Sequence, residues 1–258
     1  MNRIDLTDVT FLIPLRLDSV ERIENLEKTV DFILQNFDTQ IHILEAARYS
    51  NNILSRIMPE TIQIDFVKDF DPIFHRTRYI NILTRKIDTP YCAIWDTDII
   101  IPTEQIEESV KILREEKAEI VYPYSDLFLD VPRIIKEHYF ETGEERILTQ
   151  NMNKMKKMYQ PTPLGGAFFA KRSSYMESGM ENENYYGWGR EDGDRFNRWQ
   201  TLGYKIHRIQ GALFHLTHER GSNSKFHDKM QNDIKTAEIV RIGSMSKEEL
   251  EREIEKWE

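Results

Sequence analysis

Short apolar runs separated by amphipathic stretches recur through the first half of the chain. Residues 9–15 are almost wholly apolar, pass through Pro14, and read as a buried strand. Asp18 or Ser19 stands where a helix cap belongs, ahead of Ile23, Leu26, Val30, Ile33 and Leu34 at helical spacing. Residues 41–44 and 62–67 predict a second and a third strand, 76–87 a helix, and 91–95 another apolar strand that stops at Asp96-Thr97-Asp98. Thr103 opens a further helix and 119–122 read as a strand. This alternation predicts an α/β fold with a mostly parallel central sheet flanked by helices.

The rhythm then breaks. Residues 130–160 are rich in Lys, Glu, Asn and Met without a clean period, which predicts a mobile excursion or a helical flap. Order returns at Pro163-Leu164-Gly165-Gly166-Ala167-Phe168-Phe169, then at a Gly/Trp/acidic segment, residues 185–194, with a helix expected from Arg195. Short strands are expected at 206–209 and 212–214, and a charged helix over 246–258 reads as a solvated or partner-facing tail. The expected layout is one domain: a first half (about 1–125), a second half (about 126–225), and a helical tail (226–258).

Composition narrows the function classes. The 258 residues carry 35 basic and 44 acidic side chains, a net charge of −9, with no dense Lys/Arg block. A nucleic-acid binder needs cations to displace phosphate counterions, so that class is disfavoured. A single cysteine, Cys92, excludes an intrachain disulfide and any multi-cysteine metal site. No apolar run approaches a membrane span, and the N-terminus lacks the basic-then-apolar order of a signal peptide, so the expected compartment is the cytoplasm.

Three constellations carry candidate chemistry. Asp96-Thr97-Asp98 follows an apolar strand, and two carboxylates at a strand's carboxyl end can share a hard divalent cation. A strand ending in ordinary turn residues would read the same. Gly187-Trp188-Gly189-Arg190-Glu191-Asp192 combines glycines that allow close approach, an indole face suited to sugar stacking, and two carboxylates. Helix-start acids alone would explain Glu191 and Asp192 but not Gly-Trp-Gly. Phe214-His215-Leu216-Thr217-His218 places two imidazoles three residues apart, and both could join Asp98 only if the chain turns there. The other histidines, at 42, 75, 138, 207 and 227, are scattered and read as structural or surface residues.

In this order the pieces resemble the GT-A nucleotide-sugar glycosyltransferases, and within them the beta-1,4-galactosyltransferase-like group. The matching pieces are Ile13-Pro14-Leu15-Arg16, the segment 74–81, Asp96-Thr97-Asp98, Gly165-Gly166, Gly187-Trp188-Gly189-Arg190-Glu191-Asp192 and His215-Leu216-Thr217-His218. The resemblance implies that Pro14 and Arg16 touch the donor nucleotide and that Arg76 contacts the diphosphate region. It makes Asp98 a metal ligand with Asp96 its donor-side neighbour, and Gly166, Trp188 and Gly189 part of the donor and acceptor pocket. It makes Asp192 the catalytic base, Glu191 its partner at the acceptor, and His218 a metal ligand, with His215 where the family uses methionine. The chain departs from the pattern at Gly193, which interrupts the acidic run, at Arg190, which replaces a glycine, and at Asp18, which replaces a basic residue. Acceptor identity is therefore not carried over.

The activity so implied is inverting, metal-dependent transfer from a nucleotide sugar to a saccharide or glycolipid hydroxyl, as in polysaccharide biosynthesis. The implied donors are UDP-galactose, UDP-N-acetylgalactosamine or a similar UDP-sugar, and the ion is Mn2+ or Mg2+. A glycolipid acceptor would bring the chain into peripheral membrane contact. Two rivals remain: a carbohydrate-binding protein with weak or lost turnover, and a nucleotide-sugar hydrolase.

Overall fold

The computed structural model describes residues 3–159, 162–219, 221 and 229–257. β1 (Ile4–Leu15) is the spine of the molecule, with Leu6, Val9, Phe11, Leu12, Ile13 and Leu15 all buried. It runs parallel to β2 (Phe37–Ala47) on one side and to β4 (Tyr91–Trp95) on the other. β3 (Gln63–Lys68) extends the sheet beyond β2, again parallel. On the far side β9 (Ala167–Lys171) pairs antiparallel with both β4 and β6 (Ile120–Tyr122), and β10 (Ile206–Arg208) pairs parallel with β6. The seven-stranded order is β10-β6-β9-β4-β1-β2-β3, with β9 alone reversed. The expected mostly parallel sheet is thus present, and the strands at 9–15 and 41–44 are longer than their apolar runs suggested.

The helices follow their apolar stripes. Ser19 caps α1 (Val20–Asn36) by accepting from the Arg22 amide, and Leu26, Val30 and Ile33 face the sheet. The same buried face carries two polar residues that serve the site: Asn25 donates to the Leu216 carbonyl and Thr29 to that of Thr97. α2 (Leu54–Ile57) is a single turn between β2 and β3, α3 (Arg76–Lys86) precedes β4, and α4 (Thr103–Arg114) precedes β6.

Of a second, four-stranded sheet the sequence reading expects one strand by itself, at 212–214. Its order is β5-β11-β7-β8, built from β5 (Ile99–Ile100), β7 (Leu127–Val131), β8 (Lys156–Lys157) and β11 (Ala212–Leu216). Two of these strands are two residues long, too short for any hydrophobic period. β8 lies in the stretch expected to be a mobile excursion or a helical flap, much of which is helical: α5 (Arg133–Thr142) and α6 (Glu145–Thr149) bury Ile135, Tyr139 and Leu148. Gln160, at the end of that stretch, is outside the described residues. Lys136 of α5 is buried and donates to the Thr217 carbonyl and to Asn25, so this segment braces the site rather than merely covering it.

After α7 (Arg172–Glu177), α8 spans Glu191–Leu202. It begins four residues before the expected Arg195, so both acidic site candidates sit in its first turn. α9 (Lys229–Gly243) and α10 (Lys247–Ile254) pack against α8. α10 opens with a capping box between Ser246 and Glu249. Its Leu250 and Ile254 are buried with Ile242 of α9, which corrects the solvated tail expected here. His227 is outside the described residues, and among those described no helix is long and apolar enough to cross a membrane.

Candidate active site

The carboxyl ends of β1 and β4 are adjacent, and in open α/β sheets that is where a ligand crevice forms. Pro14 and Arg16 come from the end of β1, and Asp96 and Asp98 from the end of β4. The 162–166 loop leads into β9, the 188–190 loop leads into α8, and β11 delivers His215 and His218. All of these line one cavity of about 410 Å3. Every candidate site residue of the sequence reading borders it: Pro14, Arg16, Arg76, Asp96, Asp98, Gly166, Trp188, Gly189, Glu191, Asp192, His215 and His218.

The small sheet explains how Asp98 meets the histidines. β5 begins immediately after Asp98 and pairs antiparallel with β11, placing Ile99 opposite His215, while the Leu216 amide donates to the Asp98 carbonyl. β11 ends at Leu216, so the chain turns before His218 as joint ligation requires. Ligand atoms of Asp98, His215 and His218 lie within 4.8 Å of one another. The Nε2 atoms of His218 and His215 are 3.1 and 3.9 Å from Asp98 Oδ2. Nδ1 of His215 donates to Asp130 at 2.9 Å, and Nδ1 of His218 donates to the Glu219 carbonyl at 2.8 Å. With both Nδ1 atoms so engaged, both Nε2 atoms face the Asp98 carboxylate, the orientation that outer hydrogen-bond partners give to metal-binding imidazoles. The donor set of one carboxylate oxygen and two ring nitrogens fits a divalent first-row metal such as manganese.

Charge is unevenly spread around this cluster. Burial alone would push the Asp98 carboxyl up, but His215, His218 and Arg22 hold it at about 2. The hydrogen bond to Asp98 raises the His218 ring. Arg22 stands 4.0 Å from Asp98 and is itself held by Asp18 at 2.9 Å. Asp18 stands where a cation was expected, and Arg22, one helical turn later, brings positive charge to the cavity instead.

Arg76 and Asp96 form a second pair. Nη2 and Nε of Arg76 reach one oxygen of Asp96 at 2.6 and 3.2 Å, while its buried Nη1 has no hydrogen-bond partner among the described residues. A buried donor left open costs roughly 1–3 kcal/mol, which a ligand oxygen would recover. Burial pushes the Asp96 carboxyl up against the pull of Arg76. Arg16 borders the cavity, but its guanidinium is engaged by Asp69 and by the carbonyls of Ala46, Asp71 and Pro72, leaving its flat face over the Phe74 ring at 5.7 Å.

The acidic pair sits at the opposite wall. Gly189 has φ +103°, open to glycine and strained for other residues, and Arg190 adopts the left-handed region at +74°. This turn sets Trp188 at the cavity and points the first turn of α8 into it. Glu191 is buried, and its Oε2 has no hydrogen-bond partner among the described residues. Burial and the neighbouring Asp192 push its carboxyl up to about 7. Asp192 is half-buried, with Oδ1 accepting from Arg195 at 2.7 Å. Its Oδ2 faces Gly165, where an added Cβ would lie 2.7 Å away.

Several cavity or supporting residues escaped the sequence reading: Arg22, Asp130, Tyr159, Arg195 and Lys235. Arg22 carried a usable signal, since it follows Asp18 by four residues at a helix start. Asp130 and Lys235 carried none, because their partners, His215 and the Trp188 carbonyl, are far away in sequence.

Residues 146–220 match the family described as the N-terminal domain of galactosyltransferase. No curated protein matches the sequence. Among solved structures, glucosyl-3-phosphoglycerate synthase from Mycobacterium tuberculosis, in complex with Mn2+, UDP and phosphoglyceric acid, superposes with a TM-score of 0.56 at 14% identity, covering 91% of this chain and 78% of that one. The catalytic domain of Drosophila beta-1,4-galactosyltransferase 7 with xylobiose gives 0.54 at 15% identity, with 90% and 79% covered. A mutant of the same Drosophila enzyme with manganese, UDP-Gal and xylobiose gives 0.54 at 16%, with 88% and 79% covered. The chain thus shares the fold of GT-A glycosyltransferases, and the segment that contains both acidic candidates and both histidines is similar to the galactosyltransferase family.

Proposed function

We propose that the chain transfers a sugar, with inversion, from a UDP-sugar such as UDP-galactose or UDP-N-acetylgalactosamine to a saccharide or glycolipid hydroxyl, acting in the cytoplasm in polysaccharide assembly. The observation that carries this reading is the single cavity bordered at once by the Asp98 and histidine cluster, the open Arg76 donor and the Trp188-Glu191-Asp192 wall. Arg76 Nη1 is placed to bind a diphosphate oxygen, and the Trp188 face to stack on a sugar ring. Asp192 takes the proton of the acceptor hydroxyl as that oxygen attacks the anomeric carbon, and the bond to the nucleoside diphosphate breaks on the opposite face, with no covalent enzyme intermediate. A divalent ion held by Asp98, His215 and His218 would offset the charge growing on the leaving diphosphate. Glu191, near half-protonation at neutral pH, can donate to or accept from the acceptor sugar and so orient it.

The test is UDP release and product analysis with a panel of UDP-galactose, UDP-glucose and their N-acetyl forms, with and without manganese and with and without saccharide acceptors. Release that needs both metal and acceptor, with a new glycosidic product, supports transfer. Release without acceptor makes the chain a hydrolase, and donor binding with no release makes it a carbohydrate-binding protein on this fold.

A further inference from the structure

We infer that Arg195 is a positioning residue that locks the Asp192 carboxylate for proton transfer, an inference that rests on the reading of Asp192 as the base. Arg195 lies one turn after Asp192 on α8, where an arginine and an aspartate would ordinarily form an exposed pair worth little. Here the guanidinium is buried, at 1% exposure of the side chain. It sits 4.3 Å over the Phe168 ring and 5.3 Å from that of Trp199. Nη1 reaches both oxygens of Glu181 at 2.8 and 2.9 Å, and Glu181 also accepts from the Tyr175 hydroxyl at 2.6 Å. Glu181 alone balances the buried charge, so the second arm of the fork is free to point outward. Nη2 spans from Asp192 Oδ1 at 2.7 Å to the Leu164 carbonyl at 3.3 Å.

That arm joins the two walls of the cavity. Leu164 precedes Gly165, whose carbonyl is held by the Tyr124 hydroxyl at 2.5 Å and whose missing side chain leaves room for Asp192 Oδ2. Arg195 therefore fixes Oδ1 from the core side and leaves Oδ2 as the oxygen presented beside the loop. A lysine would keep the charge but, lacking the planar fork, could not serve Glu181 and Asp192 together. Misplacing a reacting group by about 1 Å can cost on the order of a hundredfold in rate.

Two variants test this, because losing Arg195 alone would strand a buried Glu181. One is Arg195→Lys; the other is the double variant Glu181→Gln/Arg195→Met, which removes the pair together. Calorimetry with UDP and manganese should show donor-site affinity within about twofold of the parent, while kcat for transfer falls roughly 10- to 100-fold. Folded variants with unchanged kcat overturn the inference and leave Arg195 a brace. Loss of UDP binding in parallel with kcat overturns it too. Asp192→Asn, run alongside, separates the two levels. Near-normal turnover in that variant removes the base assignment and this inference with it, whereas a crippled Asp192→Asn beside unaffected Arg195 variants defeats the inference alone.

Discussion

His218 Nε2 lies 3.1 Å from Asp98 Oδ2, with its other ring nitrogen tied to the Glu219 carbonyl. His215 and His218 follow Asp98 by 117 and 120 residues in sequence, and in space β5 and β11 hold the three together. Asp98→Ala should therefore abolish manganese-dependent UDP binding while circular dichroism stays that of the parent. Undiminished UDP–manganese affinity by calorimetry would remove Asp98 from the metal site.

The two histidines should not be equal. His215 stands farther from the carboxylate, at 3.9 Å, and depends on Asp130 for its orientation. His218→Ala is expected to weaken manganese binding more than His215→Ala. Asp130→Asn should cost about 10- to 100-fold in metal affinity, as loss of an orienting partner commonly does. Equal and negligible effects of all three substitutions on manganese titrations would argue against ligation by either ring.

Asp192→Asn keeps shape and removes basicity. Transfer should fall by roughly 10²–10⁴ with donor binding near normal. Glu191→Gln should instead raise KM for the acceptor, because the amide puts an NH2 donor in place of one acceptor oxygen. Turnover near that of the parent in Asp192→Asn, with only a lower melting point, would make both residues ordinary first-turn acids of α8.

Glu191 also predicts a pH effect on stability. Its carboxyl is raised from 4.5 to about 7 in the folded chain by burial and by Asp192. Between those values the folded state holds more protons than the unfolded one, so this group's contribution to stability falls as pH rises and its full penalty is present above about pH 7. Glu191→Gln cannot ionise. Its melting temperature relative to the parent should improve steadily from pH 5 to pH 8, and a pH-independent difference would contradict the assignment.

The elements that hold ligands at strand ends were legible because buried strands announce themselves: residues 91–95 are apolar, β4 occupies those residues, and Asp96 and Asp98 follow at once. What was illegible depends on pairing rather than period. β5 and β8 are two residues each and exist only through β11 and β7. α9 has scarcely any apolar face, and is tied down by polar contacts such as Glu238 with Asn182 and Asn184 and Lys235 with the Trp188 carbonyl. Arg195 reads in the sequence only as the start of a helix, because its partner Glu181 sits fourteen positions earlier in an unpatterned loop.

Gly165 offers a test of geometry that leaves every charged group in place. An alanine Cβ there would stand 2.7 Å from Asp192 Oδ2, closer than a carbon and a carboxylate oxygen can remain. The loop cannot readily retreat, because Tyr124 holds the Gly165 carbonyl and Arg195 the preceding one. The carboxylate must therefore give way, breaking its alignment with Arg195 or with the acceptor. The metal cluster on the other wall, and the Arg76–Asp96 pair, are untouched by this change. Gly165→Ala is thus expected to bind UDP and manganese normally, to melt within a few degrees of the parent, and to lose transfer activity on the order of a hundredfold. Kinetics and calorimetry on the same preparation decide the matter: full activity in Gly165→Ala would mean that the Oδ2 position beside this glycine is not the one from which Asp192 takes the proton.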